Sequence, residues 1–210
     1  MGEIMSESAD TVKFIVDEDA TSQAFLDALK EGIQYKTFFF YENAHGNNKC
    51  VRMADRNVTA KEVWEILRQA QNRVVGFFDS CMSGSMIVDP STPAEKGQTM
   101  DYYETDPEIA KVDGEVGVGS FAQTVADLFK DDMQRRGNCC EEVGPQIRLY
   151  SACANGVITT YEPEIGTKFA DAISMCHRKT EGKTYAEFDE LLIEKSTYGP
   201  KTNPQYRVVP

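Results

Sequence analysis

The sequence predicts an α/β fold: a largely parallel central sheet flanked by helices. Three observations carry that expectation. Short apolar runs alternate with amphipathic stretches along most of the chain. The two strongest runs, Thr37–Tyr41 and Val74–Phe78, are apolar throughout, as strands covered on both faces are. A helix signal falls between them, and a strand–helix–strand crossover makes its two strands parallel. With 210 residues the chain is long enough to bury a sizeable core, and a single domain over residues 1–210 is expected.

The elements follow in order. Thr11–Val16 is a short β-branched run that ends in the acidic turn Asp17-Glu18-Asp19 and reads as a strand. Thr21 caps a helix in which Phe25, Leu29 and Ile33 recur at helical spacing. The strand Thr37–Tyr41 gives way to a polar loop, Glu42–Asn48, and Cys50–Met53 reads as a minor strand. Thr59 and Glu62 form a capping box, each satisfying the other's orphan amide, and open a helix with Val63, Ile66, Leu67 and Ala70 on one face. The strand Val74–Phe78 follows.

Residues 85–119 are rich in Pro, Gly and acid and read as a long loop. Ser120 and Gln123 then open a helix with Phe121, Val125, Leu128 and Phe129 inward, stopped at Arg135-Arg136-Gly137. Ile147–Ala152 is a third buried strand. Helices are expected over Ile165–Cys176 and from the cap Thr184, with Glu187, to Glu194, and Gln205–Val209 closes the chain as a last strand.

Composition excludes several function classes. Acidic residues outnumber basic ones 34 to 22, for a net charge of −12, and such a chain repels phosphate backbones, so no nucleic-acid partner is expected. No run of about 18 apolar residues occurs, so no membrane span is expected. The polar, acidic stretch Met1–Asp10 carries no secretory signal, which makes a cytoplasmic protein the expectation. The six cysteines include no CxxC pair, and with only His45 and His177 to assist them no metal site is expected. The GxGxxA-like stretch Gly117–Ala122 lacks a preceding strand, and no GxxxxGK[ST] phosphate loop occurs.

The crossover has a chemical consequence. It brings the carboxyl ends of its two strands to one sheet edge, where open α/β sheets bind ligands. Past the first strand stands His45-Gly46; past the second stands Asp79-Ser80-Cys81-Met82-Ser83-Gly84. A thiol attacks only as a thiolate, and imidazole is the side chain whose basicity suits deprotonating it near neutrality. Taken singly, a cysteine at a strand end is ordinarily a packing residue and a loop histidine a solvated one. The pairing, with glycines after both, favours a Cys81–His45 dyad. The amides of Gly46 and Cys81 would form an oxyanion hole. Cys153, which also follows a strand, and His177 are the internal rivals.

These residues resemble the caspase-like cysteine peptidases, closest to the metacaspases and their bacterial relatives. The match rests on FFFYENAHGN and VVGFFDSCMSGS, against the family's strand ending in S-G-H-G and strand ending in D-S-C-H-S-G. TVKFIVDEDATSQAFLDAL is similar to the family's second strand and helix, RLYSACANGVITTYEPEIGTKFADAI to its small-subunit strand, loop and helix, and KTNPQYRV to its closing segment.

The resemblance implies a caspase-like sandwich and a cysteine endopeptidase acting on protein or peptide substrates. Cys81 would be nucleophile and His45 its partner. Asp79 would line a pocket for a basic residue, giving cleavage after Arg or Lys. It implies no cofactor other than calcium, and the carboxylates of Asp101–Asp113 show no ligand rhythm that calls for that ion. If the enzyme cuts after basic residues, Lys96 and Lys111 are candidate processing sites in the long loop. Oligomeric state stays open.

This sequence departs from the family in four places. The approach to His45 is one residue longer, Met82 replaces the usual histidine after the cysteine, the usual first strand has no counterpart, and the family's acidic calcium-binding stretch is not clearly present. Two other readings therefore stand beside the peptidase: a degenerate scaffold retained for binding or regulation, and a thiol-redox protein using Cys139 and Cys140, whose vicinal bridge would be strained.

Overall fold

The computed structural model describes residues 13–91, 146–154, 157–159, 161–162, 166–180, 185–196 and 204–209. In chain order the elements are α1 (Ser22–Gly32), β1 (Thr37–Asn43), β2 (Gly46–Asn47), β3 (Cys50–Arg52), β4 (Asn57–Thr59), α2 (Ala60–Leu67), β5 (Arg73–Asp79), β6 (Ile147–Ser151), β7 (Tyr161–Glu162), β8 (Gly166–Thr167), α3 (Lys168–Thr180), α4 (Tyr185–Ser196) and β9 (Gln205–Val209).

The central sheet runs β1-β5-β6-β9. β1, β5 and β6 are parallel and β9 is antiparallel to β6. Alternation along the strands sorts their side chains onto two faces. Phe40, Val74, Phe78 and Leu149 meet Leu26 and Leu29 of α1 and Val63, Trp64 and Leu67 of α2. Val75, Phe77 and Tyr150 meet Phe169 and Ile173 of α3 and Phe188 and Leu192 of α4. Every residue of β5 is buried, which explains the unbroken apolar run Val74–Phe78 between Arg73 and Asp79. Gly76 in its middle has a packing reason: a Cβ there would lie 2.2 Å from the Phe40 ring, which crosses the strand at that point.

The expected caps hold the helices. Thr59 Oγ1 accepts from the Glu62 amide at 3.3 Å while Glu62 Oε2 accepts from the Thr59 amide at 2.9 Å, an arrangement worth about 1 kcal/mol. Thr21 accepts from the Ala24 amide. From α2 the Trp64 indole N–H donates to the Met86 carbonyl at 2.9 Å, and the Arg68 guanidinium binds the Asp89 carboxylate. The chain just past β5 is thereby tied to the helix before it.

Two expectations need correction. Lys13–Val16 form no strand; an extended segment leads into a short 3-10 turn at Asp17–Asp19. Phe14 is 50% exposed and Val16 42%, and no strand among the described residues pairs with them. β-branched residues favour a strand only where a neighbouring strand receives them. The loop Glu42–Asn48 is also shorter than expected, because β1 runs to Asn43 and Gly46–Asn47 begins an antiparallel sheet β2-β3-β4. Val51 and Val58 of that sheet are fully buried, so packing outweighs the weak strand preference of Gly and Asn.

The long loop is described only to Ser91, in a series of turns with Met86 and Ile87 buried. The expected helix after Ser120, the GxGxxA-like stretch, the Asp101–Asp113 carboxylates, Lys96, Lys111, Cys139 and Cys140 lie outside the described residues. No helix among the described residues is long and apolar enough to cross a membrane.

Candidate active site at the carboxyl ends of β1 and β5

The crossover through α2 sets β1 and β5 side by side in parallel register, with Asn43 opposite Asp79 at their carboxyl ends. His45 and Cys81 each stand two residues beyond that last paired position. The loops that carry them touch through the main chain: a Cβ at Gly46 would lie 2.0 Å from the Cys81 carbonyl oxygen and 3.0 Å from the Ser80 Cβ. Only a residue without a side chain fits there. The His45 carbonyl accepts from the Arg52 amide at 2.7 Å, which anchors its loop to β3. The His45 side chain is exposed and Cys81 is half-buried.

Past β5 the chain turns sharply. Met82 adopts a left-handed conformation (φ 57°, ψ 19°), which costs a non-glycine residue roughly 1 kcal/mol or more. Its amide donates to the Val157 carbonyl at 2.7 Å, and the Gly84 amide donates to the Cys153 carbonyl at 2.8 Å. The Ser83 and Ser85 amides close the turn onto Ser80 and Met82. Ser85 Oγ in turn accepts from the Lys49 amide at 2.8 Å. The loop after β6 and the loop after β2 thus hold the strained turn from two sides. Burial pushes the Cys81 thiol up from its ordinary value, the Thr159 amide pulls against that shift, and Asp79 adds to it. Burial and Asp79 both favour the neutral thiol over the thiolate.

Asp79 is only 1% exposed. Its Oδ2 accepts from the hydroxyls of Tyr41 and Thr167, with Asn43 Nδ2 at 3.4 Å, while its Oδ1 has no hydrogen-bond partner. Burial pushes its carboxyl up to about 6, against the pull of those donors. Thr167 Oγ1 also accepts from the Ala170 amide at 3.1 Å, so the hydroxyl that binds Asp79 belongs to the residue just before α3.

Glu42 is a second buried carboxyl, at 5% exposure. Neither of its oxygens, nor the Ser80 hydroxyl nearby, has a partner of normal hydrogen-bond geometry. Burial pushes Glu42 up to about 8, with Asp79 adding to the shift and Ser80 opposing it.

The residues singled out from sequence therefore fall into two groups. His45, Gly46, Asp79 and Cys81 share one rim. Cys153 lies beneath it, fully buried, with its sulfur 3.0 Å from the Val157 carbonyl and its thiol pushed up to about 11 by burial, while His177 belongs to α3. Sequence reasoning missed Glu42, Tyr41 and Thr167. A visible signal existed for Glu42, a carboxylate directly continuing an apolar run; Thr167 had none. Among the described residues no three His, Cys, Asp or Glu side chains gather as metal ligands would.

No family model matches the chain, and no curated protein does. Solved structures do. A structural-genomics crystal structure of a Geobacter sulfurreducens protein is similar with a TM-score of 0.61 at 15% identity, over 98% of this chain and 80% of that one. Caspase-1 from Spodoptera frugiperda is similar with a TM-score of 0.55 at 9% identity, over 98% of this chain and 74% of that one. The fold is caspase-like.

Proposed function

We propose that the protein is a cysteine endopeptidase in which Cys81 is the nucleophile and His45 its catalytic partner. The observation that carries this reading is the main-chain contact between Gly46 and Cys81, which joins the histidine and cysteine loops at the edge where such sheets bind ligands. His45 takes the proton from the Cys81 thiol, and the thiolate attacks the scissile carbonyl. The amides of Gly46 and Cys81 hold the developing oxyanion. His45 then protonates the leaving amine, and water deacylates the thioester.

Asp79 fits the base of a pocket for Arg or Lys. Its Oδ1 is buried, unpartnered and without a cation among the described residues, and a guanidinium or ammonium would supply the missing charge-assisted hydrogen bond. Binding of that cation also favours the ionised carboxylate, offsetting the upward push of burial. The substrate is a protein or peptide. No step requires a cofactor, and calcium has no assigned role.

Fluorogenic peptides ending in Arg or Lys test the reading. Cys81→Ala should lower kcat/KM by about 10³-fold or more, and His45→Ala should do nearly the same, because the two act as a unit. Cleavage by Cys81→Ala at the wild-type rate would remove Cys81 from the mechanism. One observation favours a second reading, a scaffold without peptidase activity: the resting Cys81 thiol is desolvated and occupied by the Thr159 amide. A thiol-reactive peptide warhead separates the two, labelling Cys81 in the peptidase and leaving it unmodified in the scaffold.

A further inference from the structure

Cys153 sits inside the turn that carries Cys81. Its sulfur lies 3.4 Å from the Ser80 carbonyl oxygen and 3.9 Å from Ser83 Oγ. The Ser80 carbonyl is joined directly to the Cys81 nitrogen, and standard peptide dimensions therefore keep the Cys153 sulfur within about 6 Å of that nitrogen. The Gly84 amide donates to the Cys153 carbonyl, and the Cys153 amide donates to Ser83 Oγ at 3.4 Å, so the two backbones run in hydrogen-bond contact. The Cys153 sulfur thus lies against the peptide that carries Cys81, on a loop hydrogen-bonded to the Cys81 turn.

We propose that Cys153 is a resolving cysteine for Cys81, closing a Cys81–Cys153 disulfide after hydrogen peroxide has oxidised Cys81. In the first step the Cys81 thiolate attacks one oxygen of the peroxide, the O–O bond breaks, and Cys81 becomes a sulfenic acid as hydroxide leaves. In the second step the Cys153 sulfur attacks the Cys81 sulfur. The S–S bond forms, the S–O bond breaks, and the departing hydroxyl leaves as water with the Cys153 proton. Two thiols have lost two electrons and the peroxide has been reduced to two waters.

The two sites are unequal in the way this sequence of steps needs. Cys81 is half-buried at the rim, whereas Cys153 is sealed, so an oxidant meets Cys81 first. Burial keeps Cys153 protonated, which slows its own reaction with peroxide, and its charge is coupled to that of Cys81. The other two described cysteines, Cys50 on β3 and Cys176 on α3, stand on elements outside this turn. A sulfenic acid that is not captured proceeds to sulfinic acid, which ordinary thiols do not reverse. Capture by Cys153 would keep the oxidised nucleophile recoverable. The bridge would take the Cys153 sulfur from the Val157 carbonyl, leaving that acceptor to the Met82 amide alone.

The inference rests on Cys81 being the reactive thiol and not on the bond it cleaves. The full chain is treated with hydrogen peroxide near neutral pH, its remaining thiols are blocked with N-ethylmaleimide, and the digest is mapped by mass spectrometry. A linked peptide containing Cys81 and Cys153, abolished by dithiothreitol, is expected. In Cys153→Ser, Cys81 should instead accumulate as a dimedone-trappable sulfenic acid and then as sulfinic acid, and its recovery by dithiothreitol should fall severalfold. Cys153→Ala serves where the serine variant does not fold. Absence of the linked peptide from the wild type, or bridging of Cys81 to another cysteine, overturns the inference. A chain that forms the bridge but cleaves no reporter peptide refutes the peptidase reading alone, and one that cleaves but forms no bridge refutes this inference alone.

Discussion

Asp79 and Asp189 are the same residue type, buried on the same face of the sheet, and each accepts a hydrogen bond from a tyrosine hydroxyl of a sheet strand. There the likeness ends. Asp189 on α4 also binds Arg148 Nη1 of β6 at 2.6 Å, with both side chains almost fully enclosed. Asp79 has only neutral donors among the described residues, and one of its oxygens has none. A buried carboxylate is tolerable when charge and hydrogen bonds answer it together. Asp189 meets that condition within the fold and pins α4 to β6. Asp79 does not: no cation answers it among the described residues. Glu42 extends the series to a buried carboxyl with neither a cation nor a donor of normal hydrogen-bond geometry among the described residues.

Graded tests can break or sharpen this contrast. Glu42→Gln should show the largest effect, growing as pH rises above 4.5 and complete above about 8. With its folded value near 8 against an ordinary 4.5, Glu42 favours the native state while protonated. That contribution is fully present below pH 4.5 and is lost as pH rises through 8. The variant should therefore be more stable than wild type by about 5 kcal/mol at pH 9, with little difference at pH 4, as read from urea unfolding at both pH values.

Arg148→Met should cost about 3–5 kcal/mol near neutral pH, because Asp189 would be left charged and enclosed. An unchanged urea midpoint would show that Asp189 needs no cation, and the contrast with Asp79 would collapse.

Asp79→Asn should have the smallest effect on stability but a severe one on activity. Its folded value of about 6 against an ordinary 3.8 again means stability present below pH 3.8 and lost through pH 6, so the variant should gain about 3 kcal/mol relative to wild type by pH 8. The same variant should lose cleavage after Arg and Lys. A variant both stabilised and selectively impaired for basic substrates would mark Asp79 as a site kept at the expense of the fold. Unaltered preference would make it a structural residue.

Much of the fold could be read from local chemistry. β5 announced itself as an unbroken apolar run because both its faces are covered, α1 and α2 through Thr21 and the Thr59–Glu62 box, and β9 with the bounds it has in the structure. The meeting of the His45 and Cys81 loops was legible for a topological reason, since a crossover between parallel strands leaves both carboxyl ends on one edge.

What stayed hidden depends on contacts distant in sequence. β2 and β4 contain Gly and Asn and exist because Val51 and Val58 fill the core. Thr167 reaches Asp79 across 88 positions, and the burial of Glu42 depends on what covers the strand end. The left-handed Met82 departs from local preference at the turn bearing Cys81, where strain is held by Val157 and Cys153 rather than by its own neighbours.

Gly46 carries a consequence for how this cleft tolerates variation. Its α-hydrogen is all that separates two stretches of main chain, so the gap between imidazole-bearing and sulfur-bearing segments is fixed by the thickness of a peptide rather than by any adjustable packing. Even one added methyl would act as a wedge, prising the segments apart without touching a reactive atom.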